Sequence, residues 1–243
     1  LPRRCAATGG RGRWAGGGLR AEGRDRLTMA HKTSTDQVRE LYESSADSYD
    51  KMMDGEIDHP LYTDTLGRLS TRIADLPGPV IDTSCGSGHM LELFHTRYDA
   101  DRELLGIELS TRMAQIATAR LQPAEATVMT GDMRDLRHLE TGAAAIVSFF
   151  ALHHLTPEEV VPTLVQWHRV LVAGGQLVLA TWEGEGLIDY GSESDVAALR
   201  FSREQLEDWT QQAGFAIDRC VVEPVEGMGM DAVYLEGSKP PQG

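Results

Sequence analysis

The chain has 243 residues, 41% of them hydrophobic and 25% charged, with a formal net charge of −14. That length suits one α/β domain with room for a large core, and no run approaches the roughly 20 apolar residues a membrane helix needs. Nucleic acid and anionic membranes are held mostly by Lys and Arg, so this acidity argues against a broad surface for either. Three cysteines at irregular spacing, Cys5, Cys85 and Cys220, indicate neither a disulfide framework nor a zinc site. The expectation is a reduced, cytoplasmic protein without a metal.

The first 30 residues differ from the rest. They hold seven Arg and seven Gly against Glu22 and Asp25, leaving 16 basic and 35 acidic residues, a net charge of −19, for residues 31–243. A transit peptide, a disordered basic arm, or sequence translated upstream of a start at Met29 all fit, and the last is favoured. The domain is expected over 31–237, with a disordered tail over 238–243.

Ser34 and Gln37 fit a capping box, so a helix should run through Val38, Leu41 and Tyr42. Residues 49–54 read as a polar-aromatic loop. Pro60 to Leu76 reads as a second helix with Leu61, Leu66, Leu69 and Ile73 inward, stopped by Pro77-Gly78-Pro79. Val80-Ile81-Asp82 then leads as a strand into Thr83-Ser84-Cys85-Gly86-Ser87-Gly88, and a helix opens at His89. Such a turn leaves backbone amides pointing outward at a helix N-terminus, ready to hold a ligand.

From there strands and helices alternate, which predicts a parallel sheet covered on both faces. Strands are expected at Leu104–Glu108, Ala126–Met129, Ala143–Phe150 and Gln176–Trp182. Helices are expected over Thr111–Leu121 and from a capped start at Thr156-Pro157 to Gly174-Gly175, with Pro162 awkward inside the latter. Residues 183–200 have no clear period, and Gly184 to Asp195 within them suggest a lid or substrate loop that includes Asp189 and Tyr190. A helix capped by Ser202 and two strands, Ala216–Val222 and Asp231–Leu235, complete the chain.

Ligands of a doubly wound sheet bind at the carboxyl ends of its strands. Four features fall there: the loop 82–88, Glu108, Asp132, and the Phe149-Phe150 strand end. Glu108 lies 22 residues past Gly86, near the spacing at which an acid takes ribose hydroxyls. The dinucleotide fingerprint asks for a third glycine where this chain has Leu91, which weighs against a nicotinamide oxidoreductase, the runner-up reading. Cys85 suits a small packing residue. His89 either lines the site or packs structurally.

These features together resemble the class I S-adenosylmethionine-dependent methyltransferases, of the small-molecule type related to quinone-biosynthesis enzymes. The match rests on five segments in order: Asp82 to Gly88, Leu105 to Ser110, Gly131-Asp132-Met133, Phe150-Ala151-Leu152-His153-His154-Leu155, and Leu171 to Leu177. Ser84 departs from the pattern, which has glycine there; serine fits unless the position needs a positive φ.

The resemblance implies a seven-stranded, mostly parallel Rossmann-like sheet with an antiparallel last strand. It implies that S-adenosylmethionine is held by the backbone of Ser84, Gly86, Ser87 and Gly88. Asp82 would sit near its ammonium, Glu108 on its ribose, and Leu109, Met133 and Asp132 around its adenine, with Tyr49 and Phe149 beside it. It further implies methyl transfer to a small-molecule acceptor by in-line displacement, releasing S-adenosylhomocysteine, with His153 or His154 as candidate proton acceptor. A fold relative that binds the same nucleoside without transferring is the third reading.

Overall fold

The computed structural model describes residues 33–189, 196–225 and 229–241. The leader with Cys5 and Met29, and Tyr190 of the expected substrate loop, lie outside them. Six helices are described: α1 (Thr35–Glu56), α2 (Pro60–Ile73), α3 (His89–Arg97), α4 (Thr111–Arg120), α5 (Pro157–Val170) and α6 (Arg203–Gln212). The strands are β1 (Val80–Asp82), β2 (Leu104–Glu108), β3 (Thr127–Thr130), β4 (Ala143–Phe149), β5 (Leu171–Trp182), β6 (Leu187–Asp189), β7 (Ala197–Leu199), β8 (Ala216–Val225) and β9 (Met230–Ser238).

Seven strands form one sheet in the order β3-β2-β1-β4-β5-β9-β8, with β9 antiparallel to both its neighbours and the β1–β5 pairings parallel. This is the doubly wound sheet with an antiparallel last strand expected from the sequence. β4 is buried at every position, as a central strand covered on both faces must be. One core packs α1 to α4 on the sheet through Leu66, Leu69, Phe94 and Leu104. The other packs α5 and α6 through Leu164, Trp167, Phe201 and Leu206. Truncating Leu69 or Leu104 to Ala would cost about 2–5 kcal/mol.

Several expectations are corrected. Residues 49–54 are not a loop, because α1 continues unbroken to Glu56. Its apolar stripe, Val38, Tyr42, Ala46, Tyr49 and Met53, keeps helical spacing throughout. Arg120 of α4 engages Asp50 and Asp54 at 3.0 Å each and so holds that last stretch down. α2 ends at Ile73 rather than Leu76; the Arg102 guanidinium there takes the carbonyls of Ile73, Leu76 and Gly78. α5 ends at Val170, and Gly174-Gly175 forms an irregularity within β5 instead of a helix stop. Ala143 pairs with Leu171 but Ala145 with Gln176, so three extra residues bulge there.

The aperiodic stretch after residue 183 contains a small antiparallel pair, β6 with β7, too short to leave a readable alternation. β9 runs past the expected boundary at 237 to Ser238. Beyond it the buried Lys239 donates to the His168 and Leu171 carbonyls at 3.0 and 2.8 Å. Among the described residues no helix is long and apolar enough to cross a membrane.

Candidate functional site

The strand ends β1, β2, β3 and β4, with α1 laid across them, enclose a cleft of about 400 Å³. Its floor is the β1 turn. The Thr83 amide donates to Val147 O and the Cys85 amide to Ile107 O, so the turn is tied to both neighbouring strand ends. Gly86 has φ 53°, and a Cβ there would stand 3.3 Å from Tyr49 Cε1. Glycine is therefore needed both for the backbone and for the close approach of α1. Cys85 packs beneath: a Cβ on Gly106 would fall 2.7 Å from its Sγ. Burial pushes the Cys85 thiol well above its usual range, as suits a packing residue rather than a nucleophile.

Ser84 does not require the left-handed conformation, since only Glu125 and Phe150 among the described non-glycine residues have positive φ. Its hydroxyl instead meets Ser148 Oγ at 3.1 Å across β1 and β4. The departure from glycine is thus accommodated by a polar partner on the adjoining strand.

Glu108 is buried, yet both its oxygens are engaged: Oε2 accepts the Gly86 amide at 2.9 Å and Oε1 the Ser110 amide at 2.8 Å. Desolvation raises its pKa against the opposing pull of these bonds. Asp82, also buried, accepts the Ser84 amide at 3.0 Å. Burial first, and the Glu108 charge after it, bring its pKa to about 7. Two acids at the floor therefore want an added donor or cation.

Of the residues expected at the site, Tyr49, Ser84, Gly86, Glu108, Leu109, Asp132, Met133, Phe149, His153 and His154 all border the cleft. Asp82, Ser87 and Gly88 do not form its wall. Asp82 lies behind Ser84. The Ser87 hydroxyl meets His89 Nδ1 at 2.9 Å, and the far ring nitrogen of His89 meets Asp54 at 2.9 Å. That answers the question about His89: it ties the turn to α1. Gly88, at φ 90°, starts α3.

Asp132 is more committed than the sequence suggested. Arg134 grips it with Nε at 3.0 Å to Oδ1 and Nη2 at 2.6 Å to Oδ2, and reaches Glu159 at 2.6 Å and the Thr35 hydroxyl. Desolvation would raise the Asp132 pKa, but the Arg134 contacts outweigh it and the net shift is downward. This guanidinium joins the segment after β3, α5 and the first residue of α1 at one end of the cleft. Nothing in the local sequence around Arg134 marked it.

The two histidines are in contact, Nε2 to Nε2 at 3.0 Å, and Tyr42 Oη stands 2.8 Å from His154 Nε2. Only one of the two Nε2 atoms can carry a hydrogen in that contact. Burial lowers the His154 pKa to about 4 and that of His153 well below its usual value, so the pair is neutral at pH 7. The sequence places Tyr42 only within the first helix; its hydroxyl contact becomes visible once the fold brings the segment after β4 to α1. Thr83 was missed as well. It borders the cleft, is 1% exposed, and its hydroxyl has no hydrogen-bond partner among the described residues, an orphan of the kind a bound ligand satisfies.

This sheet order and this cleft define a class: the chain has the fold of the class I S-adenosylmethionine-dependent methyltransferases. Residues 80–175 match the model of a methyltransferase-domain family. The chain is 30% identical over 138 residues to an uncharacterised methyltransferase of Oceanobacillus iheyensis, covering 57% of this chain and 60% of that one. It is 28% identical over 145 residues to another from Geobacillus kaustophilus, covering 58% and 65%. The matched region thus spans under two thirds of the length of these relatives.

Among solved structures, a 1,6-didemethyltoxoflavin-N1-methyltransferase of Burkholderia thailandensis, with 1,6-didemethyltoxoflavin and S-adenosylhomocysteine bound, superposes with a TM-score of 0.65. It is 16% identical, covering 92% of this chain and 93% of that one. The magnesium protoporphyrin IX methyltransferase of Synechocystis, with S-adenosylhomocysteine bound, gives 0.64 at 18% identity, covering 85% and 100%. At these identities the likeness is one of fold.

Proposed function

We propose that the chain transfers a methyl group from S-adenosylmethionine to a small-molecule acceptor in the cytoplasm. One observation carries the reading. Glu108 and the glycine turn meet at the floor of a cleft whose third fingerprint position is Leu91, buried against β2 instead of leaving a path to a pyrophosphate. That favours a nucleoside bearing an amino acid over a dinucleotide. The unbridged Cys85 and Cys220 suit a reducing compartment.

The residues present fit that donor. Glu108 retains lone pairs for ribose hydroxyls beyond its two amide bonds. Asp82, poised near neutrality by burial, gains from a nearby ammonium. The Thr83 hydroxyl and the polar groups of Ser84 and Gly86 that border the cleft offer partners to the amino-acid end. Leu109 and Met133 supply apolar faces for the base, and Arg134 holds Asp132 beside them. When bound, S-adenosylmethionine supplies an electrophilic methyl on a sulfonium. The chain's own task is to align the acceptor with that methyl and keep water out. α1 does the covering, through Tyr42 and Tyr49. His153 and His154, which border the cleft, are the candidates in this reading to receive the acceptor's proton.

The test is transfer of labelled methyl from S-adenosylmethionine to a library of small acceptors. Label in a small-molecule product is the expected result. Binding of S-adenosylhomocysteine with no transfer to any acceptor would mark a binding protein instead.

A further inference from the structure

Resting on that reading, we propose that the methyl acceptor is a flat, uncharged aromatic molecule, seated against Phe149 and Phe150 with its polar edge toward His153 and His154. The backbone supplies the first observation. In a continuing strand Phe149 and Phe150 would face opposite sides of the sheet. Phe150 instead takes φ 52°, a left-handed conformation that bulky residues seldom adopt, and both residues border the cleft.

That conformation is held in place. The Phe150 amide donates to Ala180 O at 2.8 Å. Its ring lies 4.7 Å from the Trp182 ring at a 40° tilt and meets Tyr234 edge-on at 6.2 Å. Phe149 in turn meets Tyr62 edge-on at 5.6 Å. Two adjacent aromatic surfaces, each backed by another ring, offer a planar guest offset-stacked or edge contacts. A strained backbone kept at the mouth of a cleft is also where ligand contact is expected.

The second observation concerns charge. The charged side chains bordering the cleft are Glu108, Asp132, Arg134 and Glu159. Arg134 lies between Asp132 and Glu159, and Glu108 holds two backbone amides. Among the described lining residues, a carboxylate or phosphate on the acceptor therefore meets no uncommitted cation. With the donor's ribose on Glu108, an ammonium on the acceptor meets only Asp132 and Glu159, both held by Arg134. The histidine pair, neutral through burial, adds no charge of either sign. Bringing an ionised group into this enclosure is costly, whereas a phenol or a heteroaromatic N–H brings a hydrogen-bonding edge and no charge.

The test uses the whole chain saturated with S-adenosylhomocysteine at pH 7, titrated calorimetrically with three probes that share a naphthyl ring and carry small substituents: 2-naphthol, 2-naphthoate and (2-naphthyl)methylammonium. The expected result is saturable binding of 2-naphthol at least about ten-fold tighter than either ion. Phe150→Gly, which suits the left-handed backbone, should keep S-adenosylhomocysteine binding and weaken 2-naphthol by about ten-fold or more. The rank order of the probes is read on the unaltered chain and needs no variant to fold. Equal or tighter binding of either ion, or no binding of 2-naphthol, overturns the proposal. Failure of S-adenosylhomocysteine itself to bind is a separate result, which overturns the methyltransferase reading and this one with it.

Discussion

Glu108 Oε2 accepts the amide of Gly86 at 2.9 Å, joining the end of β2 to the turn after β1. With its other oxygen on Ser110, this carboxylate shapes the turn before any ligand arrives. Removing it should therefore damage both structure and binding. Glu108→Ala leaves two buried amides without their acceptor and should cost about 1–3 kcal/mol of stability, with a similar loss in S-adenosylhomocysteine affinity. Glu108→Gln keeps one acceptor oxygen and should lose less of each. Urea unfolding and calorimetry read the two separately. Full affinity in a folded Glu108→Ala would remove the residue from the ligand's contacts.

Asp82 makes stability depend on pH in a stated direction. Its folded pKa, about 7, lies above the ordinary 3.8 because burial disfavours the charge. Between about pH 4 and pH 7 the folded chain thus binds a proton that the unfolded chain has lost, and this contribution to stability falls as pH rises through the window. Asp82→Asn should match the parent in stability near pH 4 and exceed it at pH 8. Affinity for S-adenosylhomocysteine, whose ammonium favours the ionised acid, should rise across the same window in the parent and flatten in the variant. Thermal melts and calorimetry over that range check both; parallel profiles for the two proteins would refute the burial effect.

Arg134 binds the start of α1 to the rest of the cleft. Its partners Asp132 and Glu159 are about one-third exposed, so Arg134→Ala should cost only about 1 kcal/mol globally. Locally the effect should be larger, because the Thr35 contact goes with it. Amide hydrogen exchange over the first turns of α1 should speed up while exchange in β4 stays unchanged. Equal protection in both proteins would show that α1 is held by its apolar face alone.

Gly86→Ala meets two obstacles, the positive φ and Tyr49. The backbone part should cost about 1–2 kcal/mol, and the ring contact adds to it. Pairing it with Tyr49→Ala should recover the contact part and leave the backbone part. Urea unfolding of the parent, both single variants and the double closes this cycle. Strict additivity would mean the ring and the turn do not interact.

Most of the sheet was legible because each strand end carried punctuation: Pro77-Gly78-Pro79 before β1, the acid after it, the cap at Ser110, the box at Thr156. The missed elements lacked such local marks. α1 was cut short because Tyr49 to Asp54 is polar on its outer face, and the partner that pairs with those acids, Arg120, lies 66 to 70 residues away. β6 and β7 are three residues each, shorter than any readable period. At the site, Ser84, Gly86 and Glu108 border the cleft as expected, because a position at a strand end is readable from the sequence. Arg134 and the Tyr42 hydroxyl were not readable, because their partners come from distant segments. The orphan hydroxyl of Thr83 needed burial to be seen.

Calorimetry of the whole chain against S-adenosylhomocysteine and NADH bears most directly on the function. The expected result is saturable binding of one S-adenosylhomocysteine per chain, weakened by Glu108→Ala, with no binding of NADH. Tight NADH binding without S-adenosylhomocysteine binding would contradict it.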